Sequence, residues 1–284
     1  MRPSNTWVRL SFSPGEPACT ALAEKTAVVP PQRIEANLAA THPEIHPIIR
    51  KLETIFKLDE SEREALLRLP MQIADLRADQ DIVREGDHPT RCFALLEGWT
   101  CSYKTNAQGN RQIMGFSISG DMPDLQSLHL RELDYSVGAL TPCKIGFVEH
   151  QALLDLCKNQ PRICNAFWRE TLIEAAIFRE WLFNVGRRSA FARIAHVFCE
   201  LAVRMRAVGL ATDRTYDFPV TQAELADATG MTTVHVNRTL RDLREAGLAT
   251  LKGGVVTIPD WESLKQAGDF EVRYLHLKER AEAA

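Results

Sequence analysis

Long apolar runs are missing from this sequence. No segment is long and apolar enough to span a bilayer, and the N-terminus has no continuous apolar core of signal-peptide length. The seven cysteines are scattered without a Cys-x-x-Cys pair, which argues against a disulfide framework and against a structural zinc site. These absences predict a soluble protein of the reducing cytoplasm with no membrane partner and no bound metal.

Recognisable catalytic machinery is also missing. The sequence shows no Ser/His/Asp set, no phosphate-cradling glycine loop and no metal-spaced His/Glu group, so we do not expect an enzyme. A large excess of charge of one sign is missing as well, since 34 Lys/Arg and 37 Asp/Glu give a formal net charge of −3. Residues 187–252 carry a local excess of ten Lys/Arg over seven Asp/Glu. An excess this modest would support DNA binding only together with dimerisation and base contacts.

What the sequence does contain divides it into four parts of α+β class. Residues 1–40 are rich in Pro, Ala, Ser and Thr without periodicity, and they predict a disordered extension or a start codon assigned too early. Residues 41–160 predict two short helices, then a β-roll and a short helix. Residues 161–186 predict one long helix, and residues 187–284 predict a second, mainly helical domain.

The roll is predicted from short apolar runs punctuated by glycine. Such runs are too short and too closely spaced for helices and are typical of antiparallel strands. They span residues 82–87, 92–98, 99–103, 112–116 and 144–148, with a hairpin loop at residues 106–110.

Residues 220–247 predict two helices joined by a tight turn. Thr221 and Glu224 have the spacing of a capping box, so the first helix should begin there. Gly230 can end it, because glycine readily adopts the left-handed backbone of a helix stop. Thr232 can then cap the second helix.

The second of these helices predicts a DNA-reading face. At about 100° per residue, Val236, Leu240 and Leu243 fall on one stripe, which should be buried. The opposite side carries short polar and basic side chains, as a helix lying in the major groove requires. The alternative is an ordinary helical hairpin with a solvated polar face. The predicted DNA-contacting residues are Thr232, Thr233, Val234, His235, Asn237, Arg238 and Arg241.

A β-hairpin follows directly behind this helix. Two apolar segments flank a turn at residues 252–254 and predict the wing of a winged helix-turn-helix, which is a more specific pattern than either part alone. Residues 190–208, ahead of the two helices, have helical spacing. Asp260 can cap a last helix, whose Trp261 and Leu264 we expect to pack under the wing.

The long helix that follows Pro161 is apolar on more than one face. Fifteen of residues 161–185 are apolar, so the helix must be covered on two sides. One side can pack on the roll, and the other is most simply covered by the same helix of a second copy about a two-fold axis. The alternative is full burial within a monomer. The predicted dimer contacts are Phe167, Trp168, Ile173, Ile177 and Trp181.

This order of parts resembles the Crp/Fnr family of bacterial transcription regulators over roughly residues 45–265. The resemblance is carried by the glycine-bearing turns of the roll (residues 85–87 and 96–98), the turn ahead of a phosphate-binding cassette (120–121) and the recognition helix (230–240). The run 234–240 and the ending 260–276 are similar to a subgroup common in alphaproteobacteria.

The resemblance implies a cyclic-nucleotide-binding-like β-roll, a long dimerisation helix and a C-terminal winged helix-turn-helix. It implies a homodimer that binds a palindromic site in double-stranded DNA, under the control of a signal, with RNA polymerase as a further partner.

The resemblance also assigns positions within the recognition helix. It places Thr233, Val234 and Arg238 at the principal base-reading positions and His235 at a phosphate-contacting one. Arg238 matches the family's arginine and can bind guanine O6 and N7 together. Val234 stands where the family usually has a glutamate, so the family's usual half-site is not expected at that base pair.

The signal is not apparent from the sequence. A cyclic-nucleotide pocket needs a cation and helix-start amides for the phosphate. Residues 120–127 lack the Gly-Glu step of nucleotide binders, residues 134–136 (Asp-Tyr-Ser) replace the expected Arg-Ser pair, and Arg131 comes three or four residues early. We therefore predict no binding of cAMP or cGMP.

An iron–sulfur cluster needs about four thiolates, yet Cys19 alone lies near the N-terminus, where the oxygen-sensing relatives cluster theirs. No cofactor is predicted, although haem ligation by His88 or His129 stays open. The alternative function is a regulator that senses redox state, or whose roll takes haem, a nucleotide or another effector that gates DNA binding. The remaining cysteines considered are predicted to be core sulfurs: Cys92, Cys101, Cys143, Cys157 and Cys164.

Overall fold

The computed structural model describes residues 46–278. The predicted disordered extension over residues 1–40 and the N-terminal Cys19 lie outside the described residues, as do residues 279–284.

Helices and strands of the described part follow the order expected from the sequence. The helices are α1 (Pro47–Glu53), α2 (Glu60–Leu67), α3 (His150–Asn159), α4 (Pro161–Arg187), α5 (Ala190–Ala207), α6 (Gln222–Thr229), α7 (Thr233–Glu245) and α8 (Trp261–Ala267). The strands are β1 (Gln72–Leu76), β2 (Asp81–Val83), β3 (Arg91–Glu97), β4 (Thr100–Thr105), β5 (Arg111–Ser117), β6 (Ser136–Ala139), β7 (Cys143–Glu149), β8 (Thr215–Asp217), β9 (Thr250–Lys252) and β10 (Val255–Thr257).

The first seven strands form the roll. One antiparallel sheet has the order β1-β7-β3, and the other has the order β2-β6-β4-β5. Phe93, Leu95 and Ile145 form part of one hydrophobic cluster between the strands of the roll and are completely buried. The predicted antiparallel roll and its hairpin loop, which joins β4 to β5, are therefore confirmed.

Two strands of the roll were not among those predicted from the apolar runs. β1 is exposed along most of its length, and β6 is a four-residue segment of sequence Ser-Val-Gly-Ala. A strand that is mostly exposed, or built of small residues, gives little periodic signal.

Helix α1 packs directly on the roll. Ile48, Ile49 and Leu52 are buried there. Gly120 allows this close approach, because a Cβ at this position would lie 2.5 Å from the carbonyl oxygen of Pro47, and its φ of +101° disfavours other residues. Helix α1 therefore covers the turn at residues 120–121.

Helix α4 is 27 residues long and has Pro161 at its first position, which is a favourable place for proline. Four of the five predicted dimer contacts lie on its inward face. Phe167, Ile173, Ile177 and Trp181 are at most 8% exposed within one protomer. Their assignment to a dimer interface is corrected here, because the protomer's own core already covers them.

Trp168 is the predicted dimer contact that does lie on the outward face of α4, where it is 67% exposed. Leu172 and Leu182 share that face and are 56% and 76% exposed. Starting at Trp168, this stripe continues at residues 172, 175, 179, 182 and 186. The alternating spacing of four and three is typical of a coiled-coil seam. Helix α4 therefore has one apolar face buried in the protomer and a second apolar face that another helix could cover, as its composition predicts.

The C-terminal domain is built around α5. Ile194, Phe198 and Leu201 of this helix are completely buried, and α6, α7 and α8 pack against it. The wing is a three-stranded antiparallel sheet in the order β8-β10-β9. Strand β8 is only three residues long, and the predicted hairpin did not include it.

Helix α8 begins as predicted but packs elsewhere. The side chain of Asp260 accepts a hydrogen bond from the backbone N–H of Ser263 at 3.2 Å, which confirms the cap. The helix packs on α5 instead of under the wing: Leu264 is completely buried, and the Trp261 ring lies 5.0 Å from the Arg206 guanidinium. The 18-residue α5 offers a much larger apolar surface than the three-residue wing strands do.

Within residues 46–278, no helix is both long and apolar enough to cross a membrane.

Candidate nucleic-acid interface

The turn between α6 and α7 has the geometry that its sequence predicts. The backbone N–H of Thr221 donates to the Glu224 carboxylate at 2.7 Å, and the backbone N–H of Glu224 donates to the Thr221 hydroxyl at 3.2 Å. This is the predicted capping box. Gly230 ends α6 with a φ of +64° and a ψ of 39°, which is the left-handed conformation.

The inner side of α7 is fixed by apolar packing and by two hydroxyl groups. Val236 and Leu243 are completely buried, and Leu240 packs against the same core, as the helical spacing predicts. The Thr232 hydroxyl accepts the backbone N–H of His235 at 3.3 Å and caps the helix. Thr239, which was not predicted to be buried, donates its hydroxyl to the His235 carbonyl at 2.9 Å.

The outer side of α7 is open to solvent. Val234 is 81% exposed, and Thr232, Thr233 and Arg238 are exposed beside it, while His235 is half-buried. Among the described residues, the Arg238 guanidinium makes no ion pair within 4.0 Å and is free to bind a ligand.

Two of the predicted contact residues have partners within the protein. The Asn237 amide donates to the Gln222 side chain at 3.1 Å, so Asn237 also ties α7 to the first residue of α6. The Arg241 guanidinium lies 3.8 Å from the Glu245 carboxylate. Such an exposed pair is weak, and Arg241 remains available to an anion.

The roll holds α6 at its C-terminal end. The guanidinium of Arg111, at the start of β5, lies 2.8 Å from the Asp227 carboxylate, and Gln112 donates to the Ala228 carbonyl at 3.5 Å. Arg193 of α5 donates to the Thr229 carbonyl at 3.0 Å. The sequence does not reveal these residues, because a surface Arg and Asp 116 positions apart give no local signal of their contact.

A second connection between the two domains is a buried group of charges, which we call the interdomain charge cluster: Lys51, Asp121, Glu170, Glu200 and Arg204. Asp121 lies between Lys51 at 2.7 Å and Arg204 at 3.0 Å. Glu170 lies 3.1 Å from Lys51, and Glu200 lies 3.2 Å from Arg204. Burial alone would raise the pKa of Asp121, but the Lys51 and Arg204 cations hold that pKa below its ordinary value.

The cluster occupies the side of the roll where α4 passes. It borders a cavity of about 40 Å³ that is also lined by Phe116, Met122 and Glu174, with space for only a few water molecules. The cations present are already paired with carboxylates, so a phosphate would have to displace Asp121 or Glu170.

Arg131 and Asp134, which the sequence places near the expected phosphate site, do not line this cavity. Arg131 borders a separate cleft, together with His88, His129 and His150. Asp134 is exposed, and its carbonyl accepts a hydrogen bond from the Lys104 ammonium.

The cysteines of the roll are core sulfurs, as predicted: Cys92, Cys101 and Cys143 are at most 4% exposed. Cys157 is half-buried, whereas the prediction that Cys164 is a core residue is wrong, because it is exposed on α4. Among the described residues, no three His, Cys, Asp or Glu side chains converge as metal ligands would.

Comparisons with known proteins agree with this architecture. Residues 74–160 match the family model of the cyclic nucleotide-binding domain, and residues 192–267 match that of the Crp-like helix-turn-helix domain.

Curated relatives cover most of the chain. Transcriptional activator protein FnrL of Cereibacter sphaeroides is 26% identical over 218 residues, covering 74% of this chain and 86% of the relative. Nitrogen fixation regulation protein FixK of Bradyrhizobium diazoefficiens is 27% identical over 210 residues, covering 73% and 86%.

Among solved structures, FixK2 from Bradyrhizobium japonicum has a TM-score of 0.64 at 22% identity, covering 70% of this chain and 98% of FixK2. Both domain models match in the order that the fold shows. The chain therefore belongs to the Crp/Fnr family of transcription regulators, whose members bind DNA through this helix-turn-helix and act as dimers.

Proposed function

We propose that the chain binds a palindromic DNA site as a homodimer, with the outer face of α7 in the major groove of each half-site. The observation that carries this proposal is the two-sided character of α7. Its inner side is held by Val236 and Leu243, which are completely buried, while Val234 on its outer side is 81% exposed. A rigid helix with a free polar and basic face is what major-groove reading requires.

Each predicted residue has a role that its surroundings support. Arg238 reaches a guanine through two parallel hydrogen bonds, and Val234 can contact only apolar surface such as a thymine methyl group. Thr233 reads a base edge beside them. Thr232, His235 and Arg241 contact phosphates, and Asn237 positions α7 through its hydrogen bond to Gln222.

The outward stripe of α4 is the proposed dimer seam. Trp168, Leu172 and Leu182 are large, exposed and spaced for a parallel helix pair. A two-fold axis along this seam would place the two α7 helices in successive major grooves, about 34 Å apart.

The test is a titration of duplex DNA chosen by selection from random sequences, read by fluorescence anisotropy. Arg238→Ala should weaken binding to the selected site by about 1–3 kcal/mol and relax the preference at one base pair. Arg68→Ala is the matched control, because it removes one exposed charge from the residue that follows α2, outside the C-terminal domain. An equal loss for Arg238→Ala on selected and random DNA would contradict the base-reading role.

The signal is proposed to be neither a cyclic nucleotide nor an iron–sulfur cluster. The paired charges around the small cavity leave no free cation for a phosphate, and Cys92, Cys101 and Cys143 are sealed in the core. The proposal that no cyclic nucleotide binds is checked by measuring the melting temperature with and without cAMP, cGMP or haemin. A bound ligand raises the melting temperature, and we expect no rise with cAMP or cGMP.

We further propose that the protein has no enzymatic activity and acts in the cytoplasm, where its DNA and RNA polymerase are found. The interdomain charge cluster and the Arg111–Asp227 pair support a single regulatory unit in which the roll sets the position of α6.

A further inference from the structure

A cleft opens on the surface of the roll where three segments of the chain meet. They are the loop ahead of β3 at residues 88–89, the segment 127–131, and the first residue of α3, His150. The cleft has a volume of about 390 Å³, which lies within the range of pockets that hold small organic molecules. It is far larger than the cavity of about 40 Å³ beside the interdomain charge cluster, and the two share no lining residue.

Hydrogen bonds hold the walls of this cleft together. The backbone N–H of Gly86 donates to the Leu133 carbonyl at 2.7 Å, and the backbone N–H of Leu133 donates to the Asp87 carbonyl at 3.0 Å. These two bonds join the loops on either side of the cleft. The Nε2 atom of His150 lies 3.0 Å from the Ser127 hydroxyl, which joins the start of α3 to the third segment. The cleft is therefore formed in advance, so that binding a ligand costs little ordering of the chain.

The polar side of the cleft is basic. Arg131 lines it together with three histidines, and none of the Asp and Glu side chains of the described part does. Arg131 is exposed, and within residues 46–278 its guanidinium has no ion-pair partner. A guanidinium is charged at every physiological pH, and its parallel N–H donors match the two oxygens of a carboxylate.

The histidine next to the β3 loop has a fixed orientation. The Nδ1 atom of His88 lies 3.0 Å from the Gly86 carbonyl. Because a carbonyl oxygen can only accept, Nδ1 carries the proton of this bond. The ring of His88 is thereby held in place as a wall of the cleft.

The other side of the cleft is apolar. Pro89, Leu128 and Leu130 line it, and Leu130 is 53% exposed. An exposed leucine near an unpaired guanidinium suits a molecule with an apolar body and an acidic group. Arg131 is the one lining side chain with a permanent charge, which favours a ligand with a single negative charge over a doubly charged phosphate.

We propose that this cleft binds a small organic monocarboxylate. The carboxylate accepts two parallel hydrogen bonds from the Arg131 guanidinium, and the apolar body of the ligand lies against Leu128 and Leu130. The site is separate from the outer face of α7, so the proposal does not depend on DNA binding.

The test is saturation-transfer difference NMR of the full-length protein with benzoate, which combines a carboxylate with a compact apolar ring. We expect saturable binding. Benzamide has the same ring without the negative charge, and it should bind at least about tenfold more weakly, because a hydrogen bond to a charged group is stronger than one to a neutral group. Inorganic phosphate at the same concentration as benzoate should not displace it.

Three variants locate the site. Arg131→Gln should weaken benzoate binding at least about tenfold, and Leu130→Ala should cause a smaller loss of about threefold. Arg77→Gln is the matched control, since Arg77 is an exposed arginine of the roll that does not line the cleft, and it should bind benzoate as the wild type does. All three side chains are exposed, so the melting temperatures should stay close to that of the wild type.

Four results would overturn the proposal. They are an absence of saturable benzoate binding, equal binding of benzamide, full benzoate affinity in Arg131→Gln, and displacement of benzoate by inorganic phosphate at equal concentration. The last result would mean that the cleft selects a phosphate instead of a carboxylate.

Discussion

Val234 is the residue of α7 where this chain departs most clearly from the family pattern. Its side chain is 81% exposed and offers only methyl groups, whereas a glutamate would accept a hydrogen bond from cytosine N4. We expect Val234→Glu to change the preferred base pair facing this position from A·T towards G·C, while the other positions keep theirs. Selection of bound sequences from random DNA measures the change, and an unaltered consensus would argue against a groove-facing position.

Glu174 gives the protein a pH-dependent stability. Burial, together with the negative charges of Glu170 and Asp121, raises the pKa of Glu174 to about 8. Between the ordinary glutamate pKa of about 4.3 and this value, the folded protein holds a proton that the unfolded chain has lost. The free energy of unfolding should therefore fall as the pH rises through this window, by at most about 1.4 kcal/mol per pH unit.

A matched pair of variants isolates this effect. Glu174→Gln should remove its share of the pH dependence and be more stabilising at pH 8 than at pH 5. Glu132→Gln, on an exposed loop, should leave the pH dependence as it is. Urea midpoints measured from pH 5 to pH 9 make the comparison, and parallel curves for the wild type and Glu174→Gln would show that Glu174 does not titrate in this range.

At the scale of the element, the two faces of α4 should respond differently to substitution. Leu172 is on the outward stripe and 56% exposed, so Leu172→Asp should leave the protomer folded but dissociate the dimer. Phe167 is on the inward face and 5% exposed, so Phe167→Ala should destabilise the fold by about 3–5 kcal/mol.

Analytical ultracentrifugation and denaturant unfolding of both variants separate these effects. Leu154→Asp is the control for an added charge, because Leu154 is a 40%-exposed leucine of α3. A dimeric Leu172→Asp protein would mean that the outward stripe is not the seam.

These helices also show how far a sequence can predict structure. Val236, Leu240 and Leu243 of α7 occupy one stripe, and both this buried side and the Thr232 cap were predicted. Helix α4 is apolar on more than one face, so its composition predicts two covered faces but cannot say which residues face the protomer. Trp168 and Trp181 are equally apolar and 13 positions apart, and only tertiary packing distinguishes the exposed one from the buried one.

At the scale of the whole molecule, the roll holds the DNA-binding domain at two places. The Arg111–Asp227 pair holds the end of α6 at the surface, and the interdomain charge cluster holds α5 from within. The cluster is the stronger of the two, since its side chains are largely withdrawn from water. Its members come from three separate helices, α1, α4 and α5, and from the loop after β5, which is why no local pattern in the sequence reveals it.

Arg204 is the residue that joins the domains within this cluster. It contacts Asp121 and Glu200 and donates to the Phe116 carbonyl at 2.9 Å. Arg204→Met would leave two buried carboxylates without this partner, which typically costs about 3–5 kcal/mol. We expect calorimetry to show two separate transitions in the variant and one in the wild type.

Two further comparisons decide whether the charge of the Arg204 guanidinium is what joins the two domains. Arg204→Lys keeps the charge but cannot make the same forked contacts, so its stability should fall between those of the wild type and Arg204→Met. The destabilisation of Arg204→Met should also shrink below about pH 5, because the unpaired carboxylates can then take up protons. Equal losses of stability in Arg204→Lys and Arg204→Met, with no dependence on pH, would mean that packing of the aliphatic part of the Arg204 side chain, and not its charge, joins the two domains.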